Sequence, residues 1–363
     1  MKNVAIKVVA GLALSAILTS TAAADSVQGP VLRPSTNANR NARISWQHVV
    51  DDINGDGTSD LLWVNPAGNQ FAYWTLQDNG FSLTRSGYKT YNVTPGYVIN
   101  AVGDFNGDGK ADLMWTSPAN DLYLWTSTGN AFSSTYLGTY PAGWKLIGAG
   151  DVNGDGTDDL LWSNPDTCQF GYWLMKNGQR IGMSTYNVNC AYHVAGVGYF
   201  RSPDKLDLVW TSDANDVYLW RNNGTAFTSY FVGNLPAGYH IAGVSNGLGT
   251  GGDMDLVLID SDTGQMQVWT WQVQTDANGN PIGTTFTADA NLSSTVPADD
   301  HINFATTAYA SPNWTSFVWS NSTGNAVNST DNPGFLTIFP VRGFGEGGNF
   351  TYPAGWQILG AQN

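Results

Sequence analysis

Glutamate is almost missing from this chain: of 29 acidic residues only Glu346 is one, and lysine and arginine together number 15 in 363 positions. Long solvent-facing helices draw on Glu–Lys pairing along one face, so a helical architecture is disfavoured from the outset. Cysteine is scarce as well. Cys168 and Cys190 are the whole supply, and in an oxidising compartment one disulfide is expected between them, closing a small loop within one repeat; two free structural thiols are the alternative. Beyond the first 24 residues no stretch approaches 18 apolar positions, so no later segment is expected to insert in a membrane. Positive charge is short too. Without Lys2 and Lys7 of the leader, 13 basic groups face 29 acidic ones, a net of −16, which repels nucleic acid and anionic lipid.

The leader itself reads as a secretory signal over residues 1–24: Lys2 and Lys7, an apolar run from Val8 to Leu18, then Ala22-Ala23-Ala24 as a small-residue cleavage site. The chain is therefore expected to be secreted or periplasmic after cleavage near Ala24. Residues 25–43 read as a polar linker and 44–363 as one repeat domain. Plentiful Gly (42), Trp (15) and Tyr (16) suit short strands joined by tight turns. The expectation is an all-β protein.

Three times the pattern Asp-x-Asn-Gly-Asp-Gly-x-x-Asp runs into an apolar strand. In the first copy Asp52, Asn54 and Asp56 stand at positions 1, 3 and 5, the Thr58 carbonyl at 7 and Asp60 at 9. The second has Asp104, Asn106, Asp108, Lys110 (carbonyl) and Asp112, and the third Asp151, Asn153, Asp155, Thr157 (carbonyl) and Asp159. Oxygens at this spacing cage a hard cation, so three Ca2+ sites are expected. Three carboxylates in one tight turn repel each other unless a cation sits among them; Asx-rich turns without metal are the plainer alternative. The loop is no EF-hand, because position 12 is Trp63, Trp115 or Trp162 and a strand follows.

Opening strands recur at Trp46, Tyr97, Trp144, Tyr192, Tyr239, Asp300 and Trp356, at a spacing near 47 in the regular part of the chain. That is the span of a four-stranded propeller blade. The expected architecture is a β-propeller of six four-stranded blades, with seven as the alternative, and the tail from Trp356 to Asn363 is a candidate to close the ring against the first blade. Trp63, Trp115, Trp162 and Trp210 end the second strands, and Trp74, Trp125, Trp173, Trp220 and Trp269 sit in the third; packing between blades is their expected role. Odd and even copies differ, Phe71-Ala72-Tyr73-Trp74 against Asn120-Asp121-Leu122-Tyr123, as after duplication of a two-blade unit. The loops decay in copy four, where Tyr199 takes position 1 and only Asp207 remains.

Pro141-Ala142-Gly143-Trp144-Lys145-Leu146-Ile147-Gly148-Ala149-Gly150-Asp151, then Asp159-Leu160-Leu161-Trp162 and Tyr172-Trp173-Leu174-Met175, resemble the FG-GAP/VCBS repeats of exported bacterial proteins, which are related to the calcium-carrying propeller of integrin α subunits. The resemblance covers about residues 44–363, most strongly the first three copies. It implies a propeller with calcium between the first and second strands of a blade, on the fifteen loop positions named above. It also implies a role in adhesion, in sugar binding or as an accessory to a secreted enzyme, without choosing among them.

No paired carboxylates outside the loops, no nucleophile motif and no phosphate loop stand out, so no catalytic residue is assigned; Glu346 reads as a solvated loop acid. His193, His240 and His301 occupy equivalent places in successive opening strands, a speculative second metal site if the strands converge. The leading functional expectation is a calcium-binding module for an extracellular glycan, with Tyr91, Tyr136 and Tyr230 as stacking candidates. A protein–protein assembly module with a cell-surface partner, or a hydrolase or lyase with an unrecognised site, are the alternatives.

Overall fold

In the computed structural model the described residues are 51–78, 83–200, 205–246, 254–260, 262–275, 281–295, 300–305, 316–321, 335–340 and 348–359. Every regular element among them is a β-strand. Five blades are continuous antiparallel meanders of four consecutive strands: β4–β7 (Val98–Gly103, Asp112–Thr116, Asp121–Ser127, Phe132–Thr139), β8–β11 (Lys145–Gly150, Asp159–Asn164, Gln169–Lys176, Gln179–Asn187), β12–β15 (Tyr192–Gly198, Asp207–Ser212, Asp216–Asn222, Phe227–Asn234), β16–β19 (Tyr239–Asn246, Met254–Asp260, Gln265–Thr275, Pro281–Thr295) and β20–β23 (Asp300–Ala305, Ser316–Asn321, Phe335–Pro340, Gly348–Thr351). The chain is an all-β propeller.

The remaining sheet is composite. β1 (Leu61–Asn65), β2 (Gln70–Asp78) and β3 (Leu83–Asn92) come from the N-terminal side, and β24 (Gln357–Ile358) supplies the fourth strand from the tail, in the order β24-β1-β2-β3. Trp63 faces Ile358 and Val64 faces Gln357. The expectation of six complete repeats, or seven, is corrected accordingly: five blades are whole, and among the described residues the first copy has three strands of its own. The physical reason lies in the tail, where Thr351-Tyr352-Pro353-Ala354-Gly355-Trp356 repeats Thr139-Tyr140-Pro141-Ala142-Gly143-Trp144. Both tryptophan amides donate back to the proline carbonyl at 3.4 Å, so the tail arrives with the turn that launches an inner strand. The opening strand expected at Trp46, the leader and the linker lie outside the described residues, as do Glu346 and Arg201–Pro203.

Successive side chains on a strand face opposite ways, and here both directions are buried. From the first blade Leu62, Val64, Phe71 and Tyr73 pack with Ile99, Leu113 and Trp115 of the second. Leu61, Trp63, Ala72 and Trp74 pack the other way, against Tyr352 and Ile358 of the tail. Comparable clusters fill the junctions between the second and third, third and fourth, and fourth and fifth sheets along the chain. Within each sheet Trp63–Trp74, Trp115–Trp125, Trp162–Trp173 and Trp210–Trp220 form tilted pairs with centroids 4.7, 4.9, 4.6 and 4.7 Å apart, and the expected packing between blades is seen where Trp115 meets Phe71 (5.8 Å) and Trp210 meets Phe170 (5.5 Å). The expected disulfide joins Cys168 to Cys190 with Cα atoms 4.8 Å apart, tying the β9–β10 turn to the link between β11 and β12.

Candidate metal centres

The three loops fold alike, because each sets its first carboxylate over a nest of its own amides. Asp52 Oδ1 accepts from Gly55 N (2.7 Å) and Asp56 N (3.2 Å), and Oδ2 from Gly57 N (2.8 Å). Asn54 Oδ1 accepts from Asp56 N and Asp56 Oδ1 from Thr58 N, both at 2.9 Å. Asp104 repeats this with Gly107, Asp108 and Gly109, and Asp151 with Gly154, Asp155 and Gly156. The amides point inward only if positions 4 and 6 take left-handed backbone, as Gly55 (φ 76°) and Gly57 (φ 86°) do; hence the two glycines.

Position 9 behaves differently. Asp60 is buried, 1% exposed, and turned to the strands: Oδ2 accepts from Ile53 N and Oδ1 from Leu76 N, both at 2.9 Å. Asp112 takes Phe105 N and Ser127 N, and Asp159 takes Val152 N and Met175 N. Burial pushes Asp60, Asp112 and Asp159 up to about 8, against the pull of those amide bonds and with help from the nearby loop carboxylates. Burial likewise raises Asp52 and Asp151 to about 6, opposed by the glycine amides. Such carboxylates gain from a cation that offsets their charge.

The donors at positions 1, 3, 5 and 7 are of the kind a hard cation takes: two carboxylates, an amide oxygen and a carbonyl. Position 9 also accepts an amide at each oxygen, one of them from the third strand of the blade. No group of three His, Cys, Asp or Glu side chains is set to hold a metal among the described residues. Lysine supplies part of the missing positive charge, with Lys110 Nζ 3.3 Å from Asp108 and Lys176 Nζ 3.7 Å from Asp155.

The loops also stitch blade to blade, a role the sequence pattern did not signal. Asp52 O accepts from Ala111 N (2.7 Å), Asp104 O from Asp158 N (2.8 Å) and Asp151 O from Leu206 N (2.8 Å), each donor belonging to the next loop along the chain. The carbonyl at position 2 reaches the next blade as well: Ile53 O takes Ser127 Oγ (2.6 Å), Phe105 O takes Gly178 N (2.8 Å) and Val152 O takes Asn222 Nδ2 (2.7 Å). One signal was available. The residue two places after the third-strand tryptophan is polar in even copies (Ser127, Asn222) and apolar in odd ones (Leu76, Met175), and only the polar pair sends a side chain to the preceding loop.

Of the other expected site residues, His193 is exposed and His240 half-buried, its pKa lowered by desolvation; neither joins a metal cluster among the described residues, and the His301 side chain lies outside them. Tyr91 is no stacking platform. Its ring packs in the core against Phe71 (6.0 Å) and Trp125 (5.6 Å), which corrects the reading of it as an exposed aromatic. Tyr136 and Tyr230 are exposed on the outer strands β7 and β15.

The sequence spans 52–115 and 104–162 match the FG-GAP-like repeat. Over residues 52–162 the chain is similar to FG-GAP-like repeats. These two overlapping matches hold all three loops. No curated protein matches the chain significantly. Among solved structures, a chain of the Photorhabdus luminescens Tc holotoxin pore is 18% identical with a TM-score of 0.47; the match covers 86% of this chain and 15% of that one, so this chain spans only a small part of the toxin chain's length. AofleA from Arthrobotrys oligospora is 10% identical, TM-score 0.44, covering 91% and 96%. BBS1N, solved in complex with ARL6DN, is 12% identical, TM-score 0.40, covering 89% and 96%. Likenesses this distant say nothing of ligand or partner.

Proposed function

We propose that this FG-GAP propeller is an exported interaction module whose three N-terminal loops bind Ca2+ and whose ring surface receives a protein partner outside the cytoplasm. The observation that carries it is the threefold repetition of one amide-nested donor set at positions 1, 3, 5 and 7, on loops whose carbonyls bond the next blade. Calcium there fixes the seams between blades and so the surface the ring presents. Extracellular sites of this kind bind at roughly 10⁻⁴ to 10⁻³ M. At tenfold excess each adds about 1.4 kcal/mol to folding stability.

A protein partner is favoured by the exposed large apolar side chains: Tyr88, Tyr136, Ile181, Met183, Tyr230 and Phe231 all lie on β3, β7, β11 and β15, the outer strands of four consecutive sheets. A glycan is the second reading. It is favoured by Tyr136, which lies on Tyr123 (4.8 Å between centroids) with its hydroxyl 3.3 Å from Asp121, an aromatic face beside a carboxylate. Thermal melts and calorimetric titration with Ca2+, Mg2+ and chelator test the metal, with about three Ca2+ per chain expected; a melting temperature indifferent to chelator refutes it. A glycan array run with calcium and with chelator then separates the two ligand classes.

A further inference from the structure

One constellation occurs twice, on the second and fourth sheets along the chain, at the end of each sheet away from the aspartate loops. Asp121 opens β6 and Asp216 opens β14. Asp121 accepts from Tyr97 OH (3.0 Å), Ser117 Oγ (3.3 Å) and Tyr136 OH (3.3 Å), and Asp216 from Tyr192 OH and Ser212 Oγ. Three rings stand around each carboxylate. Tyr123 lies 5.6 Å from Tyr97 and 4.8 Å from Tyr136; Tyr218 lies 5.6 Å from Tyr192 and 5.3 Å from Phe231. The outermost rings, Tyr136 and Phe231, are 51% and 54% exposed, so a partner can reach them.

The neighbouring sheets are internal controls. Where the second sheet has Asp121 and Tyr123, the third has Gln169 and Gly171 and the fifth has Gln265 and Gln267. Tyr239 OH still donates to Gln265 Oε1 at 3.1 Å. A neutral side chain therefore serves this turn, and the fold does not call for a carboxylate. Hydroxyl donors leave the charge of Asp121 and Asp216 standing, and neither pairs with a lysine or arginine among the described residues. The Ser212 and Tyr192 hydroxyls hold Asp216 below the usual carboxylate range, which keeps it ionised at neutral pH. Opposite Tyr123 stands Tyr136 and opposite Tyr218 stands Phe231, so the two copies share a ring face there and not a hydroxyl. An anion set among ring faces calls for a cation more than for the hydroxyls of a sugar. The formal net charge of −14 attracts the same class of partner.

We propose that these two sites receive lysine or arginine side chains from a basic segment of the protein partner, the rings facing the cation and the aspartate pairing with it. This rests on the protein-partner reading above and names that partner's chemistry. Calorimetric titration of the full chain with tetralysine and with tetraarginine at physiological salt tests it, in Ca2+ and in chelator. About two peptides per chain are expected. Asp121→Asn with Asp216→Asn, and Tyr136→Ala with Phe231→Ala, should each weaken binding about fivefold. Asp166→Asn with Asp262→Asn, which removes the same charge at exposed turns, should leave it near wild type. Equal losses in the two aspartate pairs, or no loss in the aromatic pair, overturn the proposal, since net charge alone then explains the binding. A glycan-array signal lost in the Asp121 and Asp216 pair, with neither peptide bound, overturns both the proposal and the protein-partner reading; absence of peptide and glycan binding alike overturns the proposal alone. Peptide binding that ignores chelator upholds the sites even where Tm also ignores calcium and the metal reading falls. If the variants melt early, wild type alone decides by proton NMR. The methylene protons beside the bound peptide's charged groups are expected to move upfield under the rings, and unshifted resonances at saturation refute the proposal.

Discussion

The two-blade duplication supplies its own control for the disulfide. In the third sheet along the chain Cys168 and Cys190 are bridged; the matching places in the first are Asn69 and Pro95, in Pro66-Ala67-Gly68-Asn69-Gln70-Phe71 against Pro165-Asp166-Thr167-Cys168-Gln169-Phe170. The backbone is the same at both. Asn69 and Cys168 have φ of 47° and 54°, and their carbonyls accept from Val93 N (2.8 Å) and Val188 N (2.9 Å). The bridge spans 22 residues, and closing a loop of that size in the unfolded chain is worth about 3 kcal/mol in the chain-entropy picture. For a chain this long that corresponds to about 4–5 °C in Tm.

Cys168→Ala with Cys190→Ala should lose about this much and no more, because Cys168 in left-handed backbone already carries the Cβ cost that alanine would. Replacing the pair by the first blade's own residues, Cys168→Asn with Cys190→Pro, should offset about 1 kcal/mol of the lost cross-link, since asparagine tolerates left-handed backbone. Differential scanning calorimetry of oxidised wild type, reduced wild type and the two variants should order them as oxidised wild type, then Asn/Pro, then Ala/Ala together with reduced wild type. If the Asn/Pro protein melted below Ala/Ala, the equivalence of the two turns would be refuted. If Ala/Ala and reduced wild type melted with oxidised wild type, the cross-link would contribute nothing to this fold.

Trp162, 1% exposed between Tyr140 and Trp173, has an indole N–H with no hydrogen-bond partner among the described residues. Trp162→Ala should cost about 3–5 kcal/mol, but Trp162→Phe, which removes an unpaired donor along with some volume, distinctly less in a denaturant titration. A Cβ on Gly103 falls 2.6 Å from Asp158 Oδ2 of the next blade, the oxygen that accepts Asp104 N at 2.9 Å. Gly103→Ala should therefore cost about 1–3 kcal/mol by overpacking a seam, read as a lowered urea midpoint. Deleting 352–363 removes β24, the Leu359 N to Leu62 O bond (2.8 Å) and the buried Tyr352, Ile358 and Leu359. At about 1.5–3 kcal/mol per side chain, the truncated chain should expose the Trp63 face and bind a hydrophobic dye; a melt unchanged from full length would show that β24 is dispensable.

The repeat, the strand type, the disulfide and the tryptophan seams were legible because each is a local string read against a period: an aspartate loop, a short apolar run and a Trp come round at near-constant spacing, and stacking is what such units require. Two features were not, and both arise from the pleat and the ring. A spacing of 1, 3, 5, 7 and 9 cannot say which way the ninth side chain turns; that depends on where the ladder to the third strand ends, sixteen residues on from Asp60 at Leu76. Nor does the decay of loops four and five by itself show that the closing aspartate stays in the core. It becomes informative only when Asp207 and Asp255 are seen buried at the same register as Asp60. The exposure of Tyr91 was misjudged for a related reason, since a tyrosine near a strand end faces solvent or the neighbouring sheet according to a one-residue choice of register. Closure follows the same logic in reverse. The tail repeats an inner strand and was expected at the first blade, where β1 does take β24 as its partner. A circular stack thus hides from its sequence the contacts that cross from one repeat to the next, and those are the contacts through which the aspartate loops act on the shape of the ring.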